Sequence, residues 1–389
     1  MKGKNILKVS ILSLSFLQML RLTISPALAT IGAAVGKDAS QMQTMVVVAS
    51  MFAIPFVFIS GLIAGKVKTK TVLYIGLILF LLGGLGPMVV PNFEFMLFCR
   101  ALLGIGTGLF TPYTAGLIAD FFKDEEFKTM IGWQSAAVAI GNVITSALAG
   151  VLASISWQFS FLIYAFSIIS FILVAAFLPE PPKSEKKKEE NAKFNGRMLF
   201  ICFAILCYAV IYFGFFGFIS YVVEALGGNS AQSGLASMAM TLLSLIAGIL
   251  YAKALHIFKK ASLPIMILVN AIGFFLLSQA TSFGMVVIGA CFVGLGFGLL
   301  LPYGTMRIIE AAPKSAGSFA NGMYMTFVNL GTAIAPAILT LIGTLFGRKD
   351  DGQFIWFVSS ILLVAGTVIA IILTLSSKSA PTVQTQEQN

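Results

Sequence analysis

Twelve apolar stretches of bilayer-spanning length follow one another along this chain, with little between them. They cover residues 6–34, 42–65, 72–90, 95–119, 129–154 and 158–178, then 198–223, 233–255, 262–279, 284–311, 318–346 and 354–376. One crossing takes about 20 apolar residues. In lipid each backbone N–H and C=O must be satisfied internally, so a run of this kind folds as helices. Of 389 residues, 58% are hydrophobic and only 10% charged. A soluble domain carries about a quarter charged residues, so this composition excludes an ordinary soluble enzyme, a nucleic-acid binder and a disordered chain. The expected fold class is an all-α polytopic membrane protein. Pro26, Pro55, Pro87, Pro112, Pro302 and Pro336 are its expected kink sites.

The first stretch resembles a secretory signal, with Lys2, Lys4 and Lys8 ahead of an apolar run that reaches Ala27-Leu28-Ala29. Gln18 and Arg21 interrupt it, and the apolar character continues past Ala29, so a retained first helix is expected. The net charge of +10 is explained by its placement. With the N-terminus inside, 20 Lys and Arg fall on the cytoplasmic side and only Lys37, Arg348 and Lys349 outside. That asymmetry predicts both termini in the cytoplasm of a multi-pass plasma-membrane protein. Cys99, Cys202, Cys207 and Cys291 lie in apolar runs without CxxC spacing, and His256 has no ligand-spaced companion. Neither a disulfide framework nor a metal site is expected.

An internal repeat sets the organisation. Gly104, Gly106, Gly108, Leu109, Pro112 and Tyr113 each recur 190 residues later, from Gly294 through Gly298 to Tyr303. The same offset carries Gly132 onto Gly322, Gly141 onto Gly331, Gly83 onto Gly273, Lys70 onto Lys260, and Asp120 onto the acid Glu310. One register held across separate helices indicates duplication. The expected units are residues 1–178, a charged cytoplasmic linker at 179–197, residues 198–378 and a disordered tail at 379–389. Two like-oriented halves around an axis along the membrane normal form a transporter layout, with the substrate between them near the midplane.

The chain resembles the major facilitator superfamily over nearly its whole length. The family signature between the second and third helices, G-x-L-A-D-R-x-G-R-K, is matched here by Gly61, Ala64 and Lys70. Lys66 replaces an arginine, and Gly65 stands where the pattern has an acid. Arg100, Gly104 and Gly106 resemble the signature of the fourth helix, and Gly132, Gly141 and Gly150 resemble the antiporter pattern of the fifth. The resemblance implies two six-helix bundles and alternating access. It also implies conformational roles for Gly61, Lys66, Lys70, Gly104, Gly108, Asp120, Gly132, Gly141, Gly294, Gly298 and Glu310.

Every acid lies in a loop or near a helix end, whereas Arg21 and Arg100 sit within apolar stretches. A lone charge at mid-membrane costs at least ~2.5 kcal/mol and normally faces a cavity or a partner. An arginine stays charged and offers a bidentate fork, which suits an anionic or electron-rich solute; the bland alternatives are snorkelling and bonding to Gln18 or helix carbonyls. The candidate substrate residues are Arg21, Gln18, Arg100, Asn142, Tyr208, Tyr212, Tyr324 and Asn329.

The expected function is secondary active transport of a small organic solute by alternating access, of efflux type and proton-linked. An organic or inorganic anion exchanger using Arg21 and Arg100 is the alternative, and a non-transporting receptor of the same fold lies outside both. No clustered nucleophile, base or metal ligand suggests an enzyme, and no cofactor is expected. The expected partners are the small-molecule solute, the lipid bilayer and protons or a counter-ion, with no nucleic acid, around a monomer.

Overall fold

The computed structural model describes residues 2–18, 20–63, 66–181, 195–312 and 317–376. The central part of the expected linker (182–194), the 379–389 tail, and Ala64 and Gly65 of the second-to-third loop lie outside the described residues. The fold is all-α, and the described residues form twelve helical spans in two bundles of six. In the first half α1 (Lys2–Leu17) and α2 (Leu28–Val35) share the first span; α3 (Ala39–Ile63), α4 (Thr69–Leu85), α5 (Phe93–Phe121) and α6 (Asp124–Ile155) follow. The sixth span opens as a 3-10 helix at Trp157–Ala165 and continues as α7 (Phe166–Phe177). The second half comprises α8 (Gly196–Ala225), α9 (Ser230–Ile249), the short α10 (Tyr251–Phe258), α11 (Ser262–Ser278), α12 (Phe283–Ala311), α13 (Gly317–Leu345) and α14 (Gly352–Ser376).

Two boundaries depart from the sequence expectation. The expected continuous first helix is broken in mid-span, as described below. The eighth span ends at Ile249, and the residues expected to extend it to 255 form α10, an amphipathic turn with Lys253 and His256 on it. Polar residues cap the entries: Asn92 accepts from the Phe95 amide, Asn195 from Met198, and Ser282 from Met285. Asn229 and Gln232 form a reciprocal capping box. At the far ends of α2 and α8 the chain turns through Gly36 and Gly227, at φ 65° and 80°, a conformation that costs glycine no Cβ clash.

The outer surface is apolar, with Leu62 71% and Leu375 79% exposed, as lipid requires. Lipid leaves no hydrophobic drive between helices, so the bundles hold by close packing at small residues. The duplicated register reappears in those contacts. Gly83 meets the Cys99 carbonyl and the Leu103 amide, and Gly273 meets Gly289 and Val293, each 190 residues on. Gly141 abuts the Phe16 carbonyl, as Gly331 abuts that of Leu206. A methyl group on Gly104 would overlap the Ala49 carbonyl, and one on Gly294 that of Met240; Gly108 and Gly298 repeat this against Ala53 and Ser244.

Candidate functional site

The first span loses its α-helical ladder at mid-height. After α1 the backbone makes 3-10 turns at Leu20–Leu22 and Ser25–Ala27 before α2 begins. Pro26 has no N–H for an α-helical bond, and the Ser25 hydroxyl donates to the Leu22 carbonyl at 2.7 Å. Arg21 rides on the first of these turns. Its Nη2 donates to Asn329 Oδ1 on α13 at 2.7 Å, joining the two halves, while its Nε is buried with no partner among the described residues. The side chain as a whole keeps some accessible surface.

Arg100 is placed differently from the snorkelling alternative, and in this conformation it shows no surface to the space between the halves. It is 0% exposed. Its Nη1 donates to the Tyr164 hydroxyl at 2.6 Å, and its guanidinium lies 5.5 Å from that ring. The Tyr164 hydroxyl in turn donates to the Leu20 carbonyl at 3.2 Å, beside Arg21 in sequence. Gly84 makes room for the Tyr164 ring, since a methyl there would overlap it. Arg100 thus braces the break in the first span from behind, with its Nε and Nη2 unpaired among the described residues.

Gln18 and Gln134 both donate to Thr114 Oγ1, at 2.7 and 3.0 Å. The 190-residue offset maps these three onto Tyr208, Gly304 and Tyr324. Tyr324 is fully buried within the second half, pressed on Gly304 and donating to the Leu301 carbonyl at 3.2 Å, so it packs that bundle. Tyr208 donates to Asn270 Oδ1 at 3.1 Å. Tyr208, Tyr212 and Phe297 stack, with Tyr212 and Phe297 centroids 3.8 Å apart and their planes within 10°. Asn142 donates to Thr241 Oγ1 across the halves at 3.0 Å and accepts from Ser146 at 3.2 Å. Thr114, Gln134, Tyr164, Thr241 and Phe297 were absent from the sequence candidates. The repeat offset pairs Phe297 with Thr107, but nothing in the sequence marks Tyr164.

The conformational candidates divide. Gly104, Gly108, Gly141, Gly294 and Gly298 are at tight helix contacts, whereas a Cβ on Gly61 or Gly132 would meet nothing within 4 Å. Among the described residues no ion pair joins Asp120 to Lys66 or Lys70. Instead, the Glu180 carboxylate accepts from the Thr69 and Lys70 amides at the start of α4, and Lys70 Nζ donates to the Ala175 carbonyl at 3.3 Å. Glu310 pairs with Arg307 one turn away at 2.9 Å.

At the end remote from the termini, the two halves are joined repeatedly. The Ala29 amide donates to Ser220 Oγ at 3.2 Å, Tyr221 to the Leu28 carbonyl and Gln43 to the Gly217 carbonyl, both at 3.4 Å. Thr30 and Ser230 share a hydroxyl contact, Lys349 lies 3.3 Å from Asp38, and Gly150 packs directly on Ser230 and Gly234. At the terminal end, Lys8 pairs with Glu126 at 2.9 Å and Asn195 donates to the Ala311 carbonyl at 2.6 Å, each within one half.

The family model described as Major Facilitator Superfamily matches residues 11–200 and 201–389. The chain belongs to the Major Facilitator Superfamily. It is 25% identical over 350 residues to the quinolone resistance protein NorA of Staphylococcus aureus, covering 87% of each chain. It is 24% identical over 330 residues to multidrug resistance protein 1 of Bacillus subtilis, covering 80% of this chain and 82% of that one. The fold matches the nucleoside transporter NupG at a TM-score of 0.75 and 15% identity, over 94% of this chain and 99% of that one. A D-xylose-proton symporter matches at 0.74 and 16%, over 94% and 96%. As a superfamily member, the chain is a multi-pass membrane transporter of small solutes and not an enzyme.

Proposed function

We propose that this protein exports small amphipathic organic solutes by alternating access, with both termini in the cytoplasm, and that proton entry drives the cycle. Support for the cycle comes from the contacts between the halves, which gather at the end remote from the termini and at mid-height. In the positive-inside orientation that end faces outside, so this conformation is closed outside with its substrate layer addressed from the cytoplasm. The layer holds Arg21, Asn329, Asn142 and Thr241, and two of its bonds must break for the halves to rock apart. A broken helix at the midplane is where transporters of this layout expose backbone and charge to a solute.

Export is favoured by the names of the sequence relatives, which are resistance proteins. Proton linkage rests on the carboxylates at the outer contact, Asp38 and Asp350, since no acid lies in the middle of a span. A monomer suffices, because each chain contains both halves of the site.

The test is uptake of a fluorescent amphipathic solute into inside-out vesicles carrying the protein. Accumulation should require an inward-acid proton gradient and collapse with an uncoupler. Gradient-independent equilibration would contradict the coupling. For orientation, an impermeant maleimide should label Thr281→Cys and leave Lys68→Cys unlabelled in intact cells. The reverse pattern would invert the topology.

A further inference from the structure

We infer that the substrate class is the planar aromatic monoanion, such as an arene carboxylate, bound with its charged group on Arg21 and its ring against the Tyr212–Phe297 stack. The inference rests on the transporter function proposed above and narrows it.

Three observations converge on one layer. The first is an uncompensated cation. Arg21 has a single side-chain partner, a neutral amide, and a buried Nε with none among the described residues. All 15 acids lie in loops or near helix ends, leaving no internal carboxylate to neutralise it. A guanidinium with one buried, unpaired N–H and only a neutral amide for a partner keeps charge and donor capacity that a carboxylate would satisfy.

The second is a parallel aromatic wall. Tyr208, Tyr212 and Phe297 stack within 26° of one another, and each keeps accessible surface although it lies deep in the bundle. Parallel rings that keep accessible surface pack a further planar ring more readily than a bulky aliphatic group.

The third is register. Asn329, the partner of Arg21, sits two residues before Gly331, which packs on Leu206 and Ala209 of α8, the helix that carries Tyr208 and Tyr212. On the other flank the Tyr212 hydroxyl reaches Met240 Sδ at 3.8 Å, and the next residue, Thr241, receives the inter-half bond from Asn142. The two helices that receive the mid-height contacts between the halves, α13 and α9, thus both pack on the stretch of α8 that carries Tyr208 and Tyr212. A solute spanning cation and rings would bridge the halves at the level where they part.

The experiment uses full-length protein in detergent, with binding read as the saturable rise in melting temperature. The probes are 2-naphthoate, cyclohexanecarboxylate, neutral 2-naphthol and the naphthyltrimethylammonium cation. Wild type should bind 2-naphthoate at least tenfold more tightly than the aliphatic acid or the cation. Arg21→Gln should weaken 2-naphthoate at least tenfold while 2-naphthol changes less than threefold, and Arg21→Lys should fall between. Tyr212→Leu should erase the preference for naphthoate over cyclohexanecarboxylate. Undiminished naphthoate binding by a folded Arg21→Gln protein would overturn the inference. So would preference for the cation, or no saturable binding of naphthoate to wild type. Uptake in the vesicle assay separates the two levels: gradient-driven transport of the cation would leave the transporter intact and remove only the substrate class.

Discussion

The Tyr164 hydroxyl stands between the buried Arg100 guanidinium and the Leu20 carbonyl, and so ties a charge on α5 to the break in the first span. Tyr164→Phe keeps the ring over the guanidinium and removes both bonds. Hydrogen bonds between membrane helices are worth about 0.6–1.7 kcal/mol, and a charged donor left buried adds to that cost. The variant should lose about 2 kcal/mol in reversible denaturation and lower transport through a poorly placed Arg21. Wild-type stability would show that the bonds contribute nothing. At this scale the sequence was half legible. Charges inside apolar runs are conspicuous, so Arg21 and Arg100 could be singled out. Their pairings could not: Asn329, itself a candidate, lies 308 residues from Arg21, and Tyr164 sits in an apolar 3-10 stretch with no distinguishing pattern. Arg100, for which the sequence left substrate contact and a structural place both open, is found fully buried against Tyr164.

Among helices, space separates the glycines that the family resemblance had grouped together. Gly104→Leu drives a side chain into the Ala49 carbonyl, and Gly294→Leu does the same to Met240. Either should abolish transport while insertion proceeds normally, since hydropathy rises. Gly61→Ala and Gly132→Ala meet open space and should transport within about twofold of wild type; helix propensity even favours alanine there by up to ~1 kcal/mol. Equal loss in all four, measured as uptake per inserted molecule, would contradict the assignment of close contacts. The existence and number of the spans were readable because about 20 apolar residues admit no other fold in lipid. The break after Leu17 was not, since Arg21 and Pro26 mark a kink but the 3-10 turns depend on bonds from Tyr164 and Asn329. Nor does spacing reveal that Glu180, from beyond α7, caps the backbone amides that open α4.

For the whole molecule, the duplication visible as an offset of 190 residues reappears in bundle contacts and accounts for most of the architecture. Which end the halves close upon is set by contacts that sequence spacing does not encode. The contact at the end remote from the termini carries a proton-sensitive group. Burial and neighbouring Asp38 raise the Asp350 carboxyl above its ordinary range, against the opposing pull of Lys349 and the Ser40 amide. A raised carboxyl favours the closed form while protonated, so closure at this end gains as pH falls below the raised value and is lost as pH climbs through it. Asp350→Asn keeps an acceptor for Ser40 without the charge. It should populate the closed form at neutral pH and flatten the dependence, read as a distance between labels on the two halves; an unchanged profile would show that Asp350 does not set the pH dependence of closure. The most direct test of alternating access is a covalent lock across this end. Thr30→Cys with Ser230→Cys, on a background without the four native cysteines, places two thiols where two hydroxyls now touch. Oxidation should form a disulfide, arrest uptake in the vesicle assay and release it again on reduction. A fully cross-linked protein that still transports at the reduced rate would contradict the account.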